Sequence, residues 1–225
     1  MKIIIKLILI LLFFSCNSSL EKWKSYDETE EISKNSSSEN QKLRYKRIQS
    51  ISTDKNILIN GLENEIENFI KTKYDKLKPK IVEKNIPELQ QSVINKEFSY
   101  HDLTLFYISR IYLIEFNKDT YLNSIISINK NILEEAKSKD SQGNSDIYSI
   151  FGIPILLKDN IGFESLPTTA GAHSLQNNYT KDAYIVKKLK EKGALILGKT
   201  NLSEWANYFC SGCPNGYTAL GGQTL

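Results

Sequence analysis

Between Gly152 and Tyr208 the chain alternates short apolar runs with a helical pattern, and this alternation constrains its fold more than any other feature. Gly152-Ile-Pro-Ile-Leu-Leu-Lys158 reads as a short apolar strand that closes on Lys-Asp-Asn. Asp182 then caps a predicted helix over 183–192, with Ile185, Val186 and Leu189 on one face and Gly193 ending it. Ala194-Leu-Ile-Leu197 is a second buried strand, and Gly198-Lys-Thr200 leads into a further predicted helix over 201–208. Strand, helix, strand, helix in that rhythm predicts an α/β domain with helices on the faces of a sheet.

Helices precede this unit. Leu58, Leu62, Ile66, Phe69 and Ile70 recur at helical spacing, with Thr53 or Asp54 as the cap. A weaker helical stretch covers 81–94, with Pro87 near its start. Ser99-Tyr-His-Asp102 has the form of a capping box, with Asp in the place of Glu. The helix it opens carries Leu103, Phe106, Tyr107, Ile111 and Ile114 toward a core. The β-branched stretch 121–128 predicts a strand, 130–139 a short helix and 138–149 a polar loop. A chain of 225 residues with 40% hydrophobic and 10% aromatic side chains can bury such a core.

The N-terminus carries a different kind of signal. Lys2 precedes an apolar run, Ile3 to Phe14, broken only by Lys6. A bilayer-spanning helix needs about 20 apolar residues, so residues 1–15 match a secretory signal peptide instead. A buried N-terminal helix is the competing reading, but no amphipathic period supports it. Leu-Phe-Phe-Ser-Cys16 resembles a bacterial lipobox, although Phe13 and Phe14 are bulkier than the usual pattern. It predicts lipidation at Cys16 and a membrane-anchored lipoprotein; ordinary periplasmic or extracellular secretion with an incidental cysteine is the alternative. Residues 16–52, rich in Ser, Asn, Glu and Lys, read as a flexible polar linker. Residues 53–225 form the folded part.

Composition excludes several classes of function. Net charge is only +3, from 29 basic against 26 acidic residues with both signs interspersed, so no nucleic-acid footprint is expected. Two histidines, His101 and His173, leave too few ligands for a His-based metal site. Cys210 and Cys213 supply two thiols without a second pair; after export they form either a local disulfide or two free thiols. Gly198-Lys-Thr200 lacks the earlier glycine of a phosphate loop, and no Gly-x-Ser-x-Gly elbow occurs.

Lys158 is the residue with the most chemical promise. It follows five residues without a polar side chain, so strand burial is expected to carry its amine toward the interior. A desolvated ammonium loses its proton more readily and can then act as a general base. A plain ion pair with Asp159 at the strand end is the more ordinary reading of the same pattern. The loop Pro167-Thr-Thr-Ala-Gly171 leaves that strand.

Gly152-Ile-Pro-Ile-Leu-Leu-Lys-Asp-Asn160, Thr168-Thr-Ala-Gly171, Asp182-Ala-Tyr-Ile-Val186 and Gly193-Ala-Leu-Ile-Leu-Gly-Lys-Thr-Asn-Leu-Ser-Glu-Trp-Ala-Asn207, continued by Gly221-Gly-Gln-Thr-Leu225, together resemble the amidase signature family. The Lys-Thr-Asn-Leu-Ser-Glu-Trp-Ala-Asn run is most similar to its peptide-amidase branch. The resemblance is dense over 152–225 and looser over 97–140. It implies an incomplete amidase-signature α/β/α sandwich with a mixed sheet, preceded by N-terminal helices. It also implies hydrolysis of a carboxamide C–N bond in a small amide or peptide amide, without a metal or organic cofactor. The family uses a lysine, a serine held by a cis peptide bond and a nucleophilic serine. Lys158 matches that lysine, which accepts a proton from the attacking hydroxyl through the bridging serine.

The family's two serines belong to a Gly/Ser-rich segment that follows the Gly-Gly-Gln-Thr motif, and neither Ser203 nor Ser211 takes their place. The expectation is therefore a truncated gene product, a pseudogene fragment or an incomplete sequence, inactive as an isolated chain. Two other readings stand beside it. One is a non-catalytic surface lipoprotein that keeps the amidase remnant as a binding module. The other is an amidotransferase A-type subunit that works on charged transfer RNA.

Overall fold

The computed structural model describes residues 20–39, 44, 48–208 and 214–225. The expected signal segment 1–15, Cys16, Cys210, Ser211 and Cys213 lie outside the described residues.

Within the segment read as a linker, α1 (Thr29–Asn35) is a short helix. Neighbouring parts of that segment touch the body. The Glu28 carboxylate accepts the N–H groups of Ile48 and Gln49 at 3.0 and 2.8 Å. The Trp23 ring lies 5.0 Å from that of Tyr121, and the Ile48 carbonyl accepts the Gln223 N–H at 2.9 Å.

Leu58, Leu62, Ile66 and Phe69 are buried, as their spacing predicts, yet they do not share one helix. Asp54 caps a 3-10 turn, Lys55–Leu58, its carboxylate accepting the Asn56 N–H at 2.9 Å. Gly61, at φ +82°, then breaks the path, and α2 (Glu63–Phe69) starts beyond it. A π-helical turn, Ile70–Tyr74, leads into α3 (Asp75–Ile81) and stacks Tyr74 on Phe106 at 4.8 Å. α4 (Ile86–Ile94) opens with a capping box between Asn85 and Glu88 and has Pro87 in its first turn. α5 (Tyr100–Glu115) opens with the expected Ser99–Asp102 box and buries Leu103 and Phe106.

β1 (Ile125–Ile128) is shorter than the stretch 121–128 predicts. The backbone N–H groups of Asn123 and Ser124 go to the buried Glu115 carboxylate at 3.0 and 2.9 Å, not to a neighbouring strand. α6 (Ile132–Gln142) ends at Gly143, φ +69°.

β2 (Pro154–Lys158) and β3 (Leu195–Thr200) are parallel, and α7 (Tyr184–Glu191) joins them. The sheet order is β1-β3-β2, with β1 antiparallel to β3, so the sheet is mixed. Gly193, φ +82°, ends α7, and a side chain there would meet the Phe151 ring at 2.4 Å. Two expectations for α7 fail. Asp182 does not cap it; its carboxylate accepts the Glu164 N–H at 2.9 Å and pairs with Lys190 at 2.7 Å. Val186 is buried and Leu189 half-buried, but Ile185 points to solvent.

The predicted last helix is replaced by a 3-10 turn, Glu204–Asn207. Trp205, Ala206 and Asn207 stand at φ +47°, +55° and +64°, because the Trp205 N–H is drawn to the Ala170 carbonyl at 3.1 Å. A small hairpin of β4 (Tyr217–Thr218) and β5 (Gly222–Gln223) follows.

Two apolar cores flank the sheet. Leu195 and Leu197 face the large core built by α2, α3, α5 and α6. Ile196 and Leu157 face a smaller one with Phe163, Leu166 and Val186 under α7. Helices therefore cover both faces, and the predicted α/β layering is observed.

Candidate active site

β2 and β3 pair Leu157 with Lys199 and Lys158 with Thr200. Side chains alternate along a strand, so Leu157 and Asp159 share the α7 side while Lys158 takes the other. β3 needs one further device. Ile155 pairs with Ile196 but Leu156 with Gly198, so β3 carries one extra residue there. A bulge turns the following side chains over, and Lys199 joins Leu157 and Asp159 on the α7 side. Gly198 makes this possible, since a Cβ there would lie 2.2 Å from the Ser127 carbonyl oxygen of β1.

Lys158 therefore does not go to the interior, contrary to the burial expectation: it is exposed, at the lip of an open cleft of about 520 Å3. Thr200, Asn201, Ser203, Asn207 and Asn215 share that cleft with it. Three of the described lining residues, Asn201, Asn207 and Asn215, carry carboxamides. The Asn207 side-chain N–H donates to the Asn215 carboxamide oxygen at 2.6 Å, and Asn201 reaches the Asn123 carbonyl at 3.2 Å. Ser203 is the serine among the described lining residues, and its hydroxyl accepts the Gly216 N–H at 2.7 Å.

The buried amine at this level is Lys199, and it is Lys199, not Lys158, that faces Asp159. Both are fully buried, with Nζ 3.8 Å from the Asp159 Oδ1. The Lys199 amine donates to the Ile161 carbonyl at 2.6 Å, the Thr168 hydroxyl at 3.3 Å and the Pro167 carbonyl at 3.4 Å. The Thr169 hydroxyl donates to Asp159 Oδ2 and in turn accepts the Gly171 N–H at 3.0 Å. Burial pushes the Asp159 carboxyl up, against the pull of Thr169 and Lys199. Burial likewise pushes the Lys199 amine down, against the pull of Asp159. A buried ion in a poorly polarisable surrounding is costly even when paired.

The main chain of Asp159 is fastened as well. Its N–H donates to the Thr200 carbonyl at 3.2 Å and its carbonyl accepts the Ala170 N–H at 3.0 Å. The loop so held passes the constraint on to the cleft: the Leu220 N–H donates to the Gly171 carbonyl at 3.0 Å. The sequence contained both residues of the pair, but Lys199 sat in a rejected phosphate-loop pattern and Asp159 beside the wrong lysine. The alternation that buries Leu157 was the one signal that also buries Asp159.

His101 opens α5 and His173 a 3-10 turn, and neither lines the cleft. Among the described residues no cluster of three or more His, Cys, Asp or Glu side chains is placed to hold a metal ion, and no helix is long and apolar enough to cross a membrane.

A mixed sheet between two helical layers, offering a lysine at a strand end to an open cleft, defines an α/β chain. The sequence model of the family described as Amidase matches residues 102–224, more than half of the chain, and the chain belongs to that family. A Schizosaccharomyces pombe protein assigned as an amidase is 33% identical over 143 residues, covering 62% of this chain and 24% of that protein. The A-type subunit of the glutamyl-tRNA(Gln) amidotransferase of Rippkaea orientalis is 38% identical over 125 residues, covering 54% and 25%. Among solved structures, an amidase family protein from Bacillus anthracis is similar with a TM-score of 0.71 and 35% identity, over 80% of this chain and 36% of that one. The peptide amidase of Stenotrophomonas maltophilia gives 0.59 and 38%, over 64% and 30%. The chain thus spans about a quarter of the length of the curated relatives it matches.

Proposed function

We propose that this chain is the lysine-bearing part of a carboxamide hydrolase whose substrate is a small amide or peptide amide. The observation that carries the reading is Lys158 on the cleft side of β2, opposite Thr200 and among the carboxamides of Asn201, Asn207 and Asn215. In that role its amine receives the proton that a hydroxyl loses when it attacks the amide carbon. The Asn side chains offer both donors and acceptors, which suits a peptide group. The one serine lining the described cleft is held by the Gly216 N–H, and we propose that the chain by itself does not turn over amides.

Ammonia release from peptide amides by residues 17–225 tests the second statement: none is expected, and turnover abolished by Lys158→Ala would overturn it. Joining residues 17–225 to the serine-bearing part of the Stenotrophomonas maltophilia peptide amidase tests the first. The chimera is expected to release ammonia and to lose it on Lys158→Ala; hydrolysis indifferent to that change refutes the assignment.

The similarity to the A-type component of glutamyl-tRNA(Gln) amidotransferases supports a second reading, in which the chain works on charged transfer RNA as part of such a complex. We favour hydrolysis by an exported protein, resting on residues 1–16 and on the balanced charge. Attachment of radiolabelled palmitate that is lost in Cys16→Ala supports the anchored form. Recovery of unlipidated protein in the cytosolic fraction supports the transfer-RNA reading.

A further inference from the structure

Lys158 is exposed, so packing against its own side chain does not fix it. What fixes it lies behind it, on the other side of the sheet. Three bonds converge on the next residue: the Asp159 N–H to Thr200, the Ala170 N–H to the Asp159 carbonyl, and the Thr169 hydroxyl to the Asp159 carboxylate. Lys199 closes the same knot, because its amine holds the Ile161 carbonyl and the Thr168 hydroxyl at the two ends of the loop that leaves Lys158.

We propose that Asp159, Thr169 and Lys199 form a positioning network that sets both the Lys158 strand end and the two walls of its cleft. The transmission runs through a short, sterically tight path. The Thr169 hydroxyl fixes the Gly171 N–H at 3.0 Å. Ala170 and Gly171 stand at φ +49° and +79°. The Ala170 carbonyl receives the Trp205 N–H, which starts the 3-10 turn of one wall. The Gly171 carbonyl receives the Leu220 N–H, which seats the β4–β5 hairpin whose flanking residues Asn215, Gly216 and Thr224 form the other. A Cβ on Gly171 would meet the Thr218 methyl at 2.4 Å, so loop and hairpin have no slack between them. One oxygen of the carboxylate, Oδ1, is buried without a hydrogen-bond partner in the structure and faces Lys199 across 3.8 Å. A polar group left in that state is expensive unless a charge faces it, which explains why the lysine is there.

The meaning of the network rests on the proposed role of Lys158, but its existence does not, and its test uses no hydrolysis. In the full chain, Thr169→Val removes the hydroxyl and keeps the shape, while Thr169→Ser keeps the hydroxyl. Amide hydrogen exchange is followed by NMR at Trp205 and Leu220, with Leu103 and Phe106 of α5 as the reference, together with the 13Cε resonance of Lys158. Thr169→Val is expected to speed exchange at Trp205 and Leu220 by about tenfold or more, the loss of one hydrogen bond to a charged group, and to shift the Lys158 resonance. Thr169→Ser is expected to return all three to wild-type values. Unchanged exchange at Trp205 and Leu220 would overturn the proposal. An equal acceleration at Leu103 and Phe106 would do the same, since the network would then add only to global stability. If Thr169→Val does not fold, Asp159→Asn, which keeps the size of the side chain, carries the same comparison.

Discussion

Replacing Lys199 by methionine keeps the volume of the side chain and deletes its charge and its donors. The Ile161 carbonyl loses a bond of 2.6 Å, and the Asp159 carboxylate, which stays buried, loses the cation 3.8 Å from Oδ1. Breaking a buried pair by removing one partner costs about 3–5 kcal/mol, a large part of the about 5–15 kcal/mol that keeps a domain folded. Protonation limits the loss. Burial already raises the folded Asp159 pKa above its unfolded value, and without Lys199 it rises further. A group with a raised folded pKa favours the native state below its unfolded pKa, and that contribution is lost as pH rises through the folded one. The Lys199→Met deficit must therefore be smaller at about pH 5 than at about pH 8, and the double variant Lys199→Met, Asp159→Asn must recover part of it. Urea unfolding followed by circular dichroism, at both pH values, reads all of these quantities. A deficit below about 1 kcal/mol, or one equal at the two pH values, would refute the description of Asp159 and Lys199 as a buried, coupled pair.

Other outcomes follow from single contacts. Gly171→Ala forces a side chain against the Thr218 methyl at φ +79°. It should cost about 2–4 kcal/mol in urea unfolding. Ser99→Ala removes the hydroxyl that accepts the Asp102 N–H at 3.0 Å. A loss of about 1 kcal/mol is expected, and an unchanged melting curve would show that the capping box of α5 is idle. The Lys158→Ala chimera and the Thr169 variants complete the set.

The sequence alone determined what depends on neighbours along the chain. Ser99 and Asp102 cap α5 as their spacing demands, Gly193 stops α7, and the apolar runs 152–158 and 194–197, each too short for a helix, supply the strands Pro154–Lys158 and Leu195–Thr200. The family resemblance, carried by ordered motifs over 152–225, supplied the α/β/α layering and singled out Lys158. Tertiary structure decided what depends on which segment supplies a partner. Asp182 gave up its capping role for Lys190 and the Glu164 N–H. Residues 201–208 lost a predicted helix because the Ala170 carbonyl claims the Trp205 N–H. Above all, one extra residue in β3 decided that Lys199 is buried. Along a strand every side chain changes face at each step, so alternation in β2 puts Lys158 at the cleft, while a bulge in β3 that no local pattern announces sends Lys199 inward to Asp159.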